Sequence, residues 1–153
     1  MGLLHISITA TDPEGVARFL GQVMGGRAMP FPPFPGCWIA FTAQDDGSAV
    51  EVYPTTHVLT PGPERIACEV GAPDVRPSFV HAAIAAAMPR DEILAAAEAQ
   101  GWITRICNRG PFECVEVWLE NRILVELLDA QMQQDYANGM TAANWTAMFG
   151  LPE

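Results

Sequence analysis

The chain has 153 residues, of which 50% are hydrophobic and 17% charged, and its formal net charge at pH 7 is −10. This composition is typical of a globular protein, and the length allows one ordinary domain or two small units that share a core. All eight basic residues are arginine and none of them cluster, so neither a nucleic acid nor an anionic membrane is an expected partner.

The chain start does not resemble a targeting segment. MGLLHISIT lacks a basic region and a long apolar stretch, and no apolar run approaches the ~20 residues of a membrane span. The predicted compartment is therefore the cytoplasm. The four cysteines show no CxxC spacing, which favours free thiols in a reducing compartment over disulfides or metal-bound thiolates; they are Cys37, Cys68, Cys107 and Cys114.

The first half of the chain predicts the element order β-α-β-β-β. Residues 3–10, LLHISITA, favour a strand, and Asp12 with Pro13 opens a helix that ends at Gly25 and Gly26. A proline-rich stretch, AMPFPPFPG, can be extended but not central in a sheet. The segments CWIAFTA and SAVEVYP are then strands, joined by a turn at residues 44–47.

The second half repeats this order after a connector. Residues 58–77 hold four prolines and one candidate short strand, RIACEV. SFVHAAIAAA follows as a strand, and an alanine-rich helix runs from Pro89 to Gly101. Three further strands are ITRICN, FECVEVWLE and RILVELLD.

Landmark residues of the first half recur in the second half at a nearly constant distance. The distance is 76 residues for three pairs and 75 for the fourth, which are His5 and His81, Pro13 and Pro89, Gly25 and Gly101, and Glu51 and Glu126. A fixed offset indicates an internal duplication. We therefore predict an α+β domain over residues 1–130 made of two tandem βαβββ modules, 3–57 and 78–130, which form a curved mixed sheet.

The tail, residues 131–153, lies outside the repeat and is predicted to be helical. Thr141 can cap a short helix that places Trp145, Met148 and Phe149 on one face, and Gly150 stops it. We expect this face to pack on the domain or on a partner subunit.

Each module carries a histidine on its first strand and a glutamate on its last: His5 with Glu51, and His81 with Glu126. Glu126 lies in ILVELL, which is apolar on both faces, and burying an unpaired carboxylate is costly. A cation is therefore expected beside it, and a metal ion is the most compact one. Imidazole with carboxylate suits zinc, nickel, cobalt, manganese or ferrous iron. A loosely ligating carboxylate, Glu51 or Glu126, could also act as a general base.

Other polar residues are predicted to have structural roles. His57 has no counterpart in the second half and is expected at the surface. Arg105 and Arg109 could hold an anionic substrate group, although ordinary surface positions are favoured. A solvated or mixed strand face is predicted for three glutamates, Glu113, Glu116 and Glu120. The FPPFPGCW stretch could line an apolar pocket or cover the core. No motif supports nucleotide binding or serine hydrolysis.

These features resemble the vicinal oxygen chelate superfamily, also called the glyoxalase and bleomycin-resistance fold. The matching segments are LLHISITATD, SAVEVYP, FVHAAIA and ILVELLD. The ligand set His5, Glu51, His81 and Glu126 is similar to that of glyoxalase I, with no further cofactor. The resemblance implies a metal-dependent lyase or isomerase acting on a small carbonyl or hemithioacetal-type substrate, and a homodimer that often exchanges modules.

Two alternatives remain open within the same resemblance. A metal-dependent dioxygenase would use ferrous iron held by His5, His81 and Glu126, and would leave Glu51 without a role. A non-enzymatic protein of the bleomycin-resistance type would instead bind a small hydrophobic compound without chemistry.

Overall fold

The computed structural model describes residues 4–44, 46–63 and 66–150. Parts of four predicted features lie outside these residues: the start of the 3–10 strand, one position of the 44–47 turn, the start of the RIACEV strand and the end of the tail. Among the described residues, no helix combines the length and apolar character needed to cross a membrane.

The first module has the predicted order of one strand, one helix and three strands. Its elements are β1 (His5–Ala10), α1 (Pro13–Val23), β2 (Arg27–Pro30), β3 (Trp38–Phe41) and β4 (Ala49–Pro54). The strands form one mixed sheet in the order β1-β4-β3-β2, with β1 and β4 parallel. The proline-rich stretch therefore follows an edge strand, where a missing backbone N–H does no damage.

Helix α1 begins and ends where its sequence predicts. The Asp12 carboxylate accepts a hydrogen bond from the backbone N–H of Gly15 at 3.0 Å, and Pro13 occupies the first turn. Gly25 has a φ of +69°, which suits glycine, and the chain leaves the helix there. The buried side of α1, with Val16 and Leu20, packs on the sheet.

The connector contains a hairpin that its sequence only half predicts. Strands β5 (His57–Pro61) and β6 (Ile66–Val70) pair antiparallel as a separate two-stranded sheet. The short strand expected near residues 65–70 is β6. Its partner β5 was not predicted, since prolines and threonines surround it.

The second module repeats the first. Its elements are β7 (Ala82–Ala85), α2 (Arg90–Ala99), β8 (Thr104–Asn108), β9 (Glu113–Leu119) and β10 (Ile123–Leu128). The sheet order is β7-β10-β9-β8, with β7 parallel to β10. Strand β7 is much shorter than the predicted 78–87 strand. The predicted α+β fold with two equivalent modules is confirmed, although each module has a sheet of its own.

Both modules share one hydrophobic core. The core includes Val50 and Val52 from the first sheet, and Val125 and Leu127 from the second. The aromatic rings of Phe19 and Trp102 meet edge to face at 4.9 Å between their centroids. Both helices therefore lie on the core side of the sheets, and residues that alternate with the core residues point to the opposite faces.

Two helices complete the chain, α3 (Ala130–Gly139) and α4 (Ala142–Phe149). Helix α4 has the predicted Thr141 cap, which accepts from the Asn144 backbone at 3.1 Å, and Gly150 ends it with a φ of +60°. Helix α3 lies in the tail that is predicted to be helical, although its bounds were not predicted, because its polar sequence shows little helical periodicity. The apolar face of α4 is exposed in the single chain, with Trp145 at 44% and Phe149 at 55%.

Candidate functional site

Glu51 lies in the middle of β4 on the face that turns away from the core. Ser7 is its direct neighbour on β1, and the Ser7 hydroxyl donates a hydrogen bond to the Glu51 carboxylate at 2.9 Å. The Tyr53 hydroxyl donates to the same carboxylate oxygen at 3.0 Å. Alternation along parallel strands produces this grouping, because Ser7, Glu51 and Tyr53 must all point to one face.

An aromatic cluster stands beside Glu51. The rings of Phe31 and Phe34, from the FPPFPGCW stretch, lie 6.3 and 5.6 Å from the Tyr53 ring. Burial, together with the hydrogen bond and negative charge of Glu51, raises the pKa of Tyr53 well above its usual range. Tyr53 therefore remains a protonated donor at neutral pH, and the proline-rich stretch forms an apolar wall.

Two thiols complete the surroundings of Glu51. Burial raises the pKa of the Cys37 thiol to about 11, and the neighbouring Cys68 thiol and Glu51 carboxylate add to the rise. Cys37 is thus a neutral thiol at physiological pH and a poor metal ligand. Since Cys68 belongs to β6, the β5–β6 hairpin lies close to this face of the first sheet.

His5 begins β1 and is exposed. Its Cα partner on β4 is Ala49, so it lies one alternation step from Ser7 on the face that carries Glu51. His81 immediately precedes β7 and is also exposed. It lies two residues before Ala83, whose Cα partner is Glu126.

The register confirms the duplication at the level of individual residues. Ser7 faces Glu51 in the first sheet, and Ala83 faces Glu126 in the second. Each histidine comes two residues before the position that faces the glutamate. The offsets are 76 residues for the Ser7 and Ala83 pair and 75 for the glutamate pair, the same values that the sequence predicts.

Glu126 is buried, as its apolar strand predicts, with 8% of its surface exposed. The cation beside it is a guanidinium: Nε of Arg109 donates to Glu126 Oε1 at 2.7 Å. The hydrogen bond to Glu126 raises the pKa of Arg109 further. The expectation that a buried carboxylate needs a cation is therefore met within the chain. Arg109 is exposed, as the surface position favoured for it predicts, but its guanidinium also holds Glu126.

Glu116 lies opposite Glu126 on β9 and is 3% exposed, so its predicted place on a solvated or mixed strand face is wrong. Arg105 and Arg109 both form ion pairs with it, and Cys107 and the Trp118 ring nitrogen donate to it at 2.8 Å. Burial alone would raise the pKa of the Glu116 carboxyl, but these donors outweigh it and lower the pKa to about 2.

The other two glutamates of this strand region have structural contacts. Glu120 accepts hydrogen bonds from the backbone N–H groups of Thr11 and Asp12, both at 2.7 Å, and so joins the second module to the start of α1. Glu113 lies 3.4 Å from Arg90. Neither glutamate contributes to a second acidic site.

The four predicted ligands form two pairs, one on each sheet. In the part of the chain that the structure describes, no three His, Cys, Asp or Glu side chains come together as a metal site. Two imidazoles and two carboxylates suit a divalent ion in their chemistry. These side chains would have to move to bind a divalent ion. Arg109 is hydrogen-bonded to Glu126, and Ser7 and Tyr53 are hydrogen-bonded to Glu51.

The structure resembles solved structures of one fold. It superposes on the fosfomycin resistance protein FosX from Listeria monocytogenes in complex with Mn(II) and sulfate, with a TM-score of 0.54, 14% identity, and 90% of this chain and 96% of that chain covered. For lactoylglutathione lyase from Agrobacterium tumefaciens, the TM-score is 0.53 with 14% identity over 85% and 94% of the two chains. The oxidase ChaP-H1 gives 0.50 with 20% identity over 83% and 94%.

These similarities establish the fold. The chain has the vicinal oxygen chelate fold, as its repeat predicts. A comparison of its sequence with protein-family models finds no match, and no curated protein matches it either.

Proposed function

We propose that the chain is a metal-dependent lyase or isomerase of the glyoxalase-like kind, acting on a small carbonyl or hemithioacetal-type compound. The equivalent placement of His5 with Glu51 and of His81 with Glu126 in two modules of one fold supports this most directly. The neighbouring structures include a lactoylglutathione lyase and an Mn(II)-bound resistance protein. Nickel, zinc, cobalt, manganese or ferrous iron would suit the donors.

Metal binding through Glu126 Oε1 requires the hydrogen bond between Arg109 and Glu126 to break. A bound divalent ion would polarise a substrate carbonyl and favour loss of a proton from the adjacent carbon. His5, Glu51, His81 and Glu126 are the side chains proposed to hold the ion. The exposed histidines are free to turn toward it, and the guanidinium is the group that must move.

Glu51 is the better candidate for the general base. Its hydrogen bonds come from the neutral hydroxyls of Ser7 and Tyr53, whereas Glu126 is buried and held by the guanidinium of Arg109, which leaves it less accessible to a substrate. Tyr53, held protonated, orients the Glu51 carboxylate toward the aromatic wall. A small substrate held between this wall and Glu51 would present its carbon-bound proton to the carboxylate.

We also propose that two copies of the chain form a homodimer. Phe79 and Val80, just before β7, are 99% and 54% exposed in the single chain. Large apolar side chains that are exposed together are more often part of an association surface than of an ordinary solvent-facing segment.

The metal content of protein purified without a histidine tag tests the proposal. We expect about one divalent ion per chain, which should be lost in His5→Ala and Glu126→Gln, because each change removes a ligand. His57→Ala is the matched control, since it removes an imidazole outside the set. Failure of the protein to take up any of the five ions would contradict the proposed metal-dependent mechanism.

One observation favours a second function, that of a binding protein without chemistry. The Arg109–Glu126 pair gives the buried carboxylate a permanent cation, so the fold is complete without a metal. The aromatic wall of Phe31, Phe34 and Tyr53 could then hold a small hydrophobic compound. Metal-free protein that binds aromatic ligands at this wall would favour this function over the first.

A further inference from the structure

A cleft of about 450 Å³ opens between the end of β1, strand β5 and the chain that follows β6. Residues that bear on its chemistry are Thr9, His57, Asp74, Arg76, Ser78 and Arg122. His57 lies on the wall of the cleft and is partly exposed. Thr9 lies on the same face of β1 as His5 and Ser7, which places the cleft next to the proposed site.

Arg122 is a buried cation that forms no ion pair with a described carboxylate, although the charge of Asp74 in the same cleft is near enough to interact with it. Its exposure is 6%, and it donates to the backbone oxygens of Arg76 and Thr9 at 3.1 and 2.9 Å and to the Thr9 hydroxyl at 3.1 Å. Its Nε is buried and has no hydrogen-bond partner. Among the described residues, no Asp or Glu lies within ion-pair distance of it, although buried charges are usually paired.

The other arginines of the second module, unlike Arg122, form ion pairs. Arg90, Arg105 and Arg109 each pair with at least one carboxylate. In the cleft, the only carboxylate among the lining residues belongs to Asp74, and Arg76 already holds it with two hydrogen bonds of 3.0 and 2.9 Å. With two guanidinium groups and one carboxylate, the lining carries an excess positive charge in a chain of net charge −10.

Two hydroxyl groups in the cleft have protons to donate. The Thr9 oxygen accepts from Arg122, and the Ser78 oxygen accepts from the backbone N–H of Val80 at 3.1 Å. Because each oxygen serves as an acceptor in these bonds, its own O–H is available for another acceptor. An oxyanion in the cleft would receive both hydroxyl bonds and the attraction of Arg122.

We propose that this cleft binds a small oxyanion, the carboxylate or phosphate group of a small organic ligand. The substrate of the proposed enzyme would then be an anionic compound. Only the reaction of this ligand, and not its binding, rests on the proposed function. Binding of the anion itself requires neither a metal nor Glu126.

Calorimetric titration of the chelator-treated, metal-free protein with inorganic phosphate, and separately with malonate, tests this proposal. Sodium chloride keeps the ionic strength constant, so that screening does not change between samples. We expect saturable binding of at least one of the two anions. Phosphate alone would point to a phosphate ester as the ligand, and malonate alone to a carboxylic acid.

Three variants locate the binding. Arg122→Gln should weaken it by about tenfold or more, since it removes the charge of the donor. Val58→Asp places a carboxylate in the cleft at a side chain that is 51% exposed, and it should weaken binding by a similar factor while the fold persists. Val58→Asn is its neutral match and should stay within about twofold of the unchanged protein.

Arg18→Gln removes an exposed arginine paired with Glu14, away from the cleft, and should leave the affinity unchanged. If Arg122→Gln fails to fold, the difference in affinity between the two Val58 variants tests the proposal. Absence of saturable binding, or equal affinity in Val58→Asp and Val58→Asn, would overturn the proposal. Because the protein is metal-free throughout, a failed metal site cannot produce either result.

Discussion

Arg109 holds Glu126 by a hydrogen bond of 2.7 Å from Nε, and its Nη2 lies 3.2 Å from Glu116 on the adjacent strand. One guanidinium thus joins two buried carboxylates across β9 and β10. A divalent ion that binds Glu126 through Oε1 must displace this guanidinium, so Arg109 and the ion compete for that oxygen atom.

Replacing Arg109 with glutamine should therefore strengthen metal binding. We expect the affinity for zinc or nickel to rise by about tenfold in Arg109→Gln, because the ion no longer displaces a positive charge. Competition with a chromophoric chelator measures the change. Arg18→Gln, which removes an exposed guanidinium, serves as the control, and an unchanged affinity in Arg109→Gln would show that Glu126 is not a ligand.

Glu116 should make the folded protein sensitive to acid. Its pKa is about 2 in the folded chain and 4.5 ordinarily, so its stabilising effect is present above about pH 4.5 and disappears as the pH falls toward 2. The contribution is about 2 kcal/mol, after allowance for the solvent around the half-exposed Arg105. Denaturant unfolding at several pH values should show a flatter acid dependence in Glu116→Gln. An identical slope in both proteins would refute this assignment.

Gly26 should not tolerate a side chain. A Cβ at this position would collide with the backbone oxygen of Phe41, which cannot move aside as a flexible side chain could. We expect Gly26→Ala to lower the free energy of unfolding by about 2 kcal/mol or more. Gly71→Ala is the control, because no atom lies within 4 Å of its Cβ position. Chemical denaturation of both variants compares the two sites.

Phe79 should be important for association of two chains. Replacing it with aspartate places a charge where a 99% exposed ring stands in the single chain. We expect Phe79→Asp to shift the protein toward monomer, while Phe79→Leu keeps an apolar contact and the dimer. Sedimentation velocity over a range of protein concentrations distinguishes the two species. Equal behaviour of the variants would place the dimer contact elsewhere.

Local patterns predicted much of the fold and part of the site. The strand patterns placed His5 and Glu51 on the first and last strands of one module, and the constant offset predicted the matching second module. The apolar strand around Glu126 also predicted its burial. These inferences depend on residues near one another in sequence or on a repeated spacing, which a single sequence contains.

Contacts between distant segments were not predictable in the same way. Arg109 follows β8 and Glu126 lies on β10, and only their pairing with β9 brings the two together. A cation beside Glu126 was predicted, but the cation expected was a metal ion, whereas the structure places Arg109 there. Arg122 likewise follows a turn and meets Thr9 across 113 positions of the chain. Burial of such a residue depends on how the modules assemble.

The two glutamates that occupy equivalent positions in the modules have different hydrogen-bond partners. Ser7 supplies a hydroxyl to Glu51, whereas alanine stands at the equivalent position, Ala83, and an arginine from a neighbouring strand compensates Glu126. The halves are therefore not interchangeable. A chain built from two copies of the first half would carry two such glutamates held only by hydroxyl groups, whereas one built from two copies of the second would carry two held by guanidinium groups.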